Sequence, residues 1–487
     1  MTSYATAAPK GRVSAIWVVV MVLGLGWVGL QIANGGGMLR VVVSVAVMGV
    51  LAVPAMQDPR RAVFGLFIVL PFLGMIRHMF LSATGAPYLD PLLLITSAVT
   101  IVLVVSMTLN KQMDFEGTLL SKLVFLLLIV GLIQVFNPYQ GSFLVGLTGI
   151  MINLVPIAFF FIGRSLGDAE FARKIVRVVL VVGVLGALYG LVQVFVGFRG
   201  FELDWLATQG YTAGTVAGTK RPFSFFNNSS EYAAYAQIAF TVAMASLLFA
   251  PKAKRTFLMA AVALLAYAGF LIGSRGFTIK IGLAVIVLLA ARARNRVLAI
   301  GVATLLAGVA VLWSASTTTT GSIQDKEEGA AQLVEQQLQA LRDPFNRNVS
   351  TLPIHFEQAV DAIRFGVGKW PFGLGTGAPT RGAAKFGGLP ASSEVDIADA
   401  FLAYGVIGGG LFVVIILGAI TTASRVRRAL PGPVWVGIWA LLLTSIGAWL
   451  IGGNYAIGPL VWFLMGSADA AYKRLRDRGL LSGTLPA

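Results

Sequence analysis

The sequence predicts an all-α polytopic membrane protein, and three observations carry that prediction. The composition is 57% hydrophobic and 12% charged, with mean hydropathy +0.82 over 487 residues. The apolar residues fall in runs close to the ~20 needed to cross the hydrocarbon core. Lys and Arg gather in the short connections between those runs, as charges flanking membrane helices do. The net charge of +16 is therefore loop charge, and no nucleic-acid partner is expected. The chain has no cysteine, which excludes disulfides, thiolate catalysis and cysteine-ligated metals. Two histidines, His78 and His355, are too few for a His-based metal site, so neither a metal nor another cofactor is expected.

The expected spans run 13–32, 38–56, 62–80, 91–109, 119–136, 142–163, 176–197, 231–250, 256–273, 277–291, 297–314, 400–421, 434–452 and 457–470. That is about fourteen helices at bilayer length. The first is too long for a signal core and lacks a small-residue cleavage site. Lys10 and Arg12 put the N-terminus in the cytoplasm. The inner connections then carry Arg60-Arg61, Lys111 with Lys122, Arg164 with Arg173 and Lys174, Lys252 with Lys254, Arg292 with Arg294, and Arg425 with Arg427 and Arg428. A basic tail, Lys473 to Arg478, closes the pattern, with both termini cytoplasmic. Four parts follow: an N-terminal bundle, 1–314; an outer loop, 315–399; C-terminal spans, 400–472; and the tail, 473–487.

The outer loop is long enough to serve as a lid or binding element. Within it, 331–341 and 352–365 read as short helices. The second places Leu352, Phe356, Ala359, Val360 and Ile363 on one apolar side. A Gly-rich stretch, 366–377, follows.

Two arginines stand on the outer side, where positive charge is disfavoured. Arg221 lies in Lys220-Arg221-Pro222-Phe223 and Arg275 in Ser274-Arg275-Gly276. Charge near bilayer depth is costly and marks function. Arginine also grips phosphate through two parallel hydrogen bonds. Pro222 fixes the chain entering the next span, and Asn227, Asn228, Ser229 and Ser230 are N-cap candidates for it. A helix N-terminus beside a cation makes a phosphate seat. Lys280, one turn into its helix, serves equally as a second cation or as the partner of an acid.

The acids Glu394, Asp396 and Asp399 stand before the 400–421 span, with Asp396 and Asp399 on one helix face. They could pair with the outer arginines, cap the helix or act as general base toward a sugar hydroxyl. A paired-carboxylate metal site is a further option for them. Glu231 competes for the same roles. His355 and His78 read as surface residues. Trp205, Tyr211, Phe223, Phe225, Phe226, Trp370 and Phe372 suit either sugar stacking or an interfacial belt.

The ordered set is Arg221-Pro222-Phe223 with Asn227-Asn228, then Ser274-Arg275-Gly276, then Trp370 to Gly377, then a polar cluster before Tyr404-Gly405-Val406-Ile407-Gly408. Over 120–470 this resembles the O-antigen ligase and Wzy-type polysaccharide polymerase superfamily of bacterial inner membranes. The resemblance implies a GT-C-like, metal-independent, inverting glycosyltransferase acting at the periplasmic face. Its donor and acceptor would be glycans on undecaprenyl diphosphate, in O-antigen or exopolysaccharide synthesis. Lys220, Arg221, Asn227, Asn228, Glu231, Arg275 and Lys280 would line the substrate site. Arg275, Glu394, Asp396 and Asp399 would be the catalytic group. Membrane lipids and, in the same pathway, a flippase and a chain-length regulator are the implied partners. Ligases of the family carry a histidine before the final Tyr/Phe-Gly. Here that region holds Glu394, Asp396 and Asp399, which favours a polymerase. A ligase moving a finished glycan to lipid or protein is the first alternative. A lipid-linked-sugar flippase, which would need polar residues at the midplane, is the second.

Overall fold

The computed structural model describes residues 38–85, 90–115, 117–208, 215–216, 219–292, 352–388, 391–393, 395–445 and 455–481. The expected spans 13–32 and 297–314, the loop helix 331–341, Tyr211 and Glu394 lie outside the described residues, as do the side chains of Arg275 and His355.

The N-terminal helices are α1 (Met38–Gln57), α2 (Pro59–Thr84) and α3 (Leu94–Leu109), the last entered through a 3-10 turn, Pro91–Leu93. Next come α4 (Leu119–Gln134) and α5 (Phe143–Gly149), which runs through a π-helical turn, Ile150–Leu154, into α6 (Val155–Leu166). They are followed by α7 (Ala169–Phe195), α8 (Gly200–Thr208), α9 (Ser229–Leu248), α10 (Lys252–Phe270) and α11 (Arg275–Arg292). The remainder are α12 (Leu352–Gly368), α13 (Arg381–Lys385), α14 (Asp396–Ala429), α15 (Pro433–Thr444) and α16 (Ile457–Asp477). A two-residue antiparallel ribbon, β1 (Thr215–Val216) with β2 (Thr219–Lys220), is the one departure from helix among the described elements.

Among the described residues seven segments are long and apolar enough to cross a membrane: Met38–Gln57, Pro59–Thr84, Pro91–Leu109, Phe143–Leu166, Ala169–Phe195, Lys252–Phe270 and Asp396–Ala429. The other expected spans in the described residues are helical but shorter or more polar; α9 contains Gln237, α11 Lys280 and α16 Asp469.

The most extensive helix pair is α6 with α16. Glycine lets their backbones meet: a methyl on Gly163 would overlap the Phe463 carbonyl, and one on Gly466 the Phe160 carbonyl. Around this pair Phe67, Phe159, Phe171 and Phe463 interlock at centroid distances of 5.4–5.9 Å.

Polar contacts sort the connections into two ends. At one end Arg60 pairs with Asp168, the N-cap of α7. There too Arg164 pairs with Asp469 and Asp114, Lys473 pairs with Asp114, and Arg476 donates to the Gly117 carbonyl. Helix α2 carries Arg60 at this end and Arg77 near the other. The 26 residues of α2 span about 39 Å. At the Arg77 end lie Asp90, the 221–228 segment, the 271–274 turn, residues 370–377, 391–393 and 395–396, and Ala456. Every outer-side candidate that is described thus sits at one end.

Helix α14 is broken. Gly405 has φ +66° and ψ −162°, a left-handed conformation suited to glycine. The stretch 370–377 fills the break: Leu374 N–H donates to Leu402 O at 2.7 Å, Gly375 N–H to Ala403 O at 3.1 Å, and Val406 N–H to Pro371 O at 3.0 Å. Beyond the break, 406–429 at 1.5 Å per residue covers about 36 Å, enough for the hydrocarbon by itself.

Helix α12 differs from the expected surface helix. Ala359, Ala362, Ile363 and Phe365 pack on Ala398 and Leu402 of α14, while Phe356 is 69% exposed. Small residues and Gly366, whose Cα faces the Phe401 carbonyl, select the side that fits closest against α14.

Candidate functional site

The segment 221–228 links α8 and the ribbon to α9, and it is tightly seated. Lys220 ends β2 and is exposed. Arg221 is half-buried and donates from Nε to the Ile272 carbonyl at 2.8 Å. Ile272 belongs to the turn that leads into Ser274-Arg275-Gly276. Two motifs about fifty residues apart in sequence are therefore joined by one hydrogen bond. Arg275 is the first residue of α11, and Ser274 closes its first turn, accepting from Phe277 N–H at its carbonyl (3.1 Å) and at Oγ (3.4 Å).

After Arg221, Phe223, Phe225 and Phe226 turn inward and are 1–4% exposed. Phe225 stacks on Phe72 at 4.3 Å and Phe226 on Tyr232 at 5.6 Å. These rings belong to the core and cannot stack on a sugar. The next residues press on α2 where it has no side chain. A methyl on Gly74 would overlap Asn227 N and the Phe226 carbonyl, and Met75 N–H donates to Phe225 O at 2.9 Å.

The N-terminus of α9 differs from the open anion seat that the Asn-Asn pattern suggests. Asn228 caps it, its Oδ1 accepting from Glu231 N–H at 2.8 Å. Glu231, 3% exposed, bends back to accept from Asn227 N–H at 3.2 Å and from Ala456 N–H at 2.9 Å. The amides of Asn227 and Glu231 are thus bonded within the protein. Asn227, Asn228 and Glu231 come together, but as a network that fixes this corner.

The acids divide. Asp399 is 1% exposed; its Oδ1 accepts from Ser393 N–H at 2.6 Å and Ser393 Oγ at 2.7 Å, and its Oδ2 from Ser392 Oγ at 2.7 Å. It ties down the strand of chain entering α14. Asp396, also buried, lies within electrostatic reach of Lys280 on α11. The structure therefore brings Arg221, the Arg275 turn, Lys280 and Asp396 to the same end.

Sequence reasoning missed a second cluster. Arg77, 14% exposed, pairs with Asp90 at 2.7 Å, donates to Asn227 Oδ1, and lies over the Trp205 ring at 5.5 Å. Burial lowers the Lys385 ammonium below its ordinary 10.5, the nearby Asp90 opposes this, and Arg77 adds to it. Arg77 and Glu231 border a small cavity, with Leu73, Thr96 and Tyr455, that has room for about one water. His78, expected at the surface, is fully buried, with its ring 4.3 Å from Trp205 and 5.1 Å from Phe223. Its side of α2 is covered by α8, an element the hydropathy pattern does not reveal. The signal for Arg77 was its place at a span end on the disfavoured side.

Of the aromatic candidates, Trp370 and Phe372 remain at the surface of this end. Trp370 contacts Tyr139 at 4.1 Å, and Phe372 is 77% exposed. Among the described residues no group of three acidic or histidine side chains is arranged to hold a metal ion. Compared with models of known protein families and with curated proteins, the chain matches no family model and no curated protein.

Proposed function

We propose that this chain is a glycosyltransferase of the bacterial inner membrane that polymerises oligosaccharide repeats carried on undecaprenyl diphosphate. In this reading about fourteen spans form a GT-C-like bundle with both termini cytoplasmic, and the Arg77 end faces the periplasm. The observation that supports it most is the hydrogen bond from Arg221 Nε to Ile272 O, which sets two outer-side arginine motifs side by side. A diphosphate needs such paired cations.

The acceptor hydroxyl attacks the donor's anomeric carbon from the face opposite the diphosphate. The new C–O bond forms as the bond to the diphosphate oxygen breaks, inverting the centre. The hydroxyl proton passes to a carboxylate, Asp396 or Glu394, and undecaprenyl diphosphate leaves. Arg221, Arg275, Lys220 and Lys280 stabilise the charge that grows on the leaving group. Asp399, with both oxygens engaged, orients the chain around Asp396.

The test is reconstitution of the purified protein with lipid-linked repeats, with product length read on gels. Arg221→Ala and Arg275→Ala should each slow chain growth by about 10²–10³-fold, and single repeats should accumulate. Normal polymer from both variants would sink the reading. Glycan that changes sidedness without lengthening would identify a flippase.

A further inference from the structure

The turn after Arg221 is held by a side chain from α7, outside both arginine motifs. Gln193, on α7, is 2% exposed. Its Oε1 accepts from Phe223 N–H at 3.0 Å and from Ser224 N–H at 2.6 Å. Its Nε2 donates to Ser224 O at 3.1 Å and to Glu202 Oε1 at 2.7 Å. Glu202, 1% exposed, in turn accepts from the Tyr189 hydroxyl at 2.8 Å and from Arg199 N–H at 2.7 Å. All the donors and acceptors of one buried amide are spent on this turn and its support. A polar side chain inside an otherwise apolar helix is costly unless it is fully satisfied.

The turn also stores strain. Ser224 has φ +55°, a left-handed conformation that a side chain disfavours. Ser224 Oγ donates to Gly186 O at 2.9 Å, so α7 grips this residue from both its backbone and its side chain. Strained residues persist only where their surroundings over-determine them, and they cluster at functional sites. Pro222 adds a fixed φ between the clasp and the arginine. Arg221 is thus tethered on both sides, by the Gln193 clasp one residue past Pro222 and by Ile272 at its own Nε.

We propose that Gln193 is a positioning residue, which aims the Arg221 guanidinium by holding the strained turn at Phe223–Ser224. The proposal rests on the reading of Arg221 as a diphosphate contact. A cation that acts in the transition state is sensitive to small displacements. A shift of about 1 Å can cost about a hundredfold in rate.

The absence of native cysteine permits a direct test. Spin labels at Lys220→Cys and Ala83→Cys, both exposed positions, report where the segment sits relative to α2. Labels at Arg61→Cys and Lys174→Cys, exposed at the other end of the bundle, report global integrity. Turnover and KM are measured in the unlabelled proteins. Gln193→Leu removes the amide, and Gln193→Asn keeps it but retracts it, as a milder change should the first fail to fold. We expect the 220–83 distance to broaden, the control distance to stay fixed, and turnover to fall about a hundredfold with KM little changed. An unchanged 220–83 distance, normal turnover despite a broadened distance, or broadening of both pairs would overturn the proposal. If the unmutated protein makes no polymer, the glycosyltransferase reading falls by itself. The distances then decide the positioning role alone, with broadening limited to the 220–83 pair as its support.

Discussion

Replacing Asp469 by alanine should cost about 3 kcal/mol of stability. Arg164 on α6 and Asp469 on α16 form an ion pair in which both side chains are 0% exposed, so solvent screening does not reduce the figure. The guanidinium also donates from Nη1 to Thr118 Oγ1 at 3.0 Å, from Nη2 to Asp114 Oδ2 at 3.3 Å, and from Nε to the Asp114 carbonyl at 3.2 Å. Thr118 Oγ1 donates to Asp469 Oδ2 at 2.7 Å. Breaking a buried pair by removing one partner costs roughly 3–5 kcal/mol, because a charge is left behind. Asp114, 30% exposed, still faces Arg164, which places the Asp469→Ala loss at the low end. Arg164→Met strands Asp469 with less support and should cost about 4–5 kcal/mol. The double change Arg164→Met/Asp469→Leu removes both charges and should be close to neutral, or stabilising by about 1–4 kcal/mol. Unfolding in detergent micelles, followed through the nine tryptophans, gives all three values. A loss below about 1 kcal/mol for Asp469→Ala, the range of exposed pairs, would refute the reasoning.

Gly405→Ala should destabilise by about 1–3 kcal/mol, since it combines a positive φ with a methyl that overlaps the Pro371 carbonyl; protease sensitivity of 370–377 should rise with it, and tolerance within about 0.5 kcal/mol would count against the break. Asp168 caps α7 through Phe171 N–H at 2.8 Å and pairs with Arg60. Burial raises its pKa, but the Phe171 amide and the Arg60 charge outweigh it and hold the carboxyl below its ordinary 3.8. Its charge therefore contributes stability that is present above the unfolded value and lost as pH falls through the folded one. The pair is 50% and 42% exposed, so the contribution is under about 1 kcal/mol. Asp168→Asn should abolish the part of the acid-induced loss that sets in below about pH 4, measured as the unfolding midpoint from neutral to acid pH; an unchanged acid slope would refute this.

Seven of the expected spans were legible because crossing a bilayer demands continuous apolar runs, a signal that needs no tertiary context. The two ends were legible for the same reason: Arg60, Arg164 and Lys473 fall together, as loop charge requires. The candidate site was legible in part. Arg221 and the Arg275 turn stood out as cations in apolar surroundings, and they meet. What escaped was whatever depends on which helix lies next to which. His78 and Phe225 have ordinary surface or interface composition, and only the cover of α8 and the groove at Gly74 bury them. Asn228 was legible as a cap, but Glu231 folding back onto Asn227 and Ala456 joins parts of the chain that no local pattern connects. Gln193 offered a signal, a lone amide in the 176–197 span. The Gly405 break was hidden because Tyr404-Gly405-Val406 is apolar and reads as continuous helix.

The break also constrains how the protein is made. A helix handed to the bilayer by itself must hold every backbone hydrogen bond internally. Helix α14 does so only beyond Gly405, because the carbonyls of Leu402 and Ala403 have their partners in Leu374 and Gly375. Those partners precede α14 in the chain. The turns of α14 before Gly405 therefore complete their hydrogen bonds only by docking on 370–377.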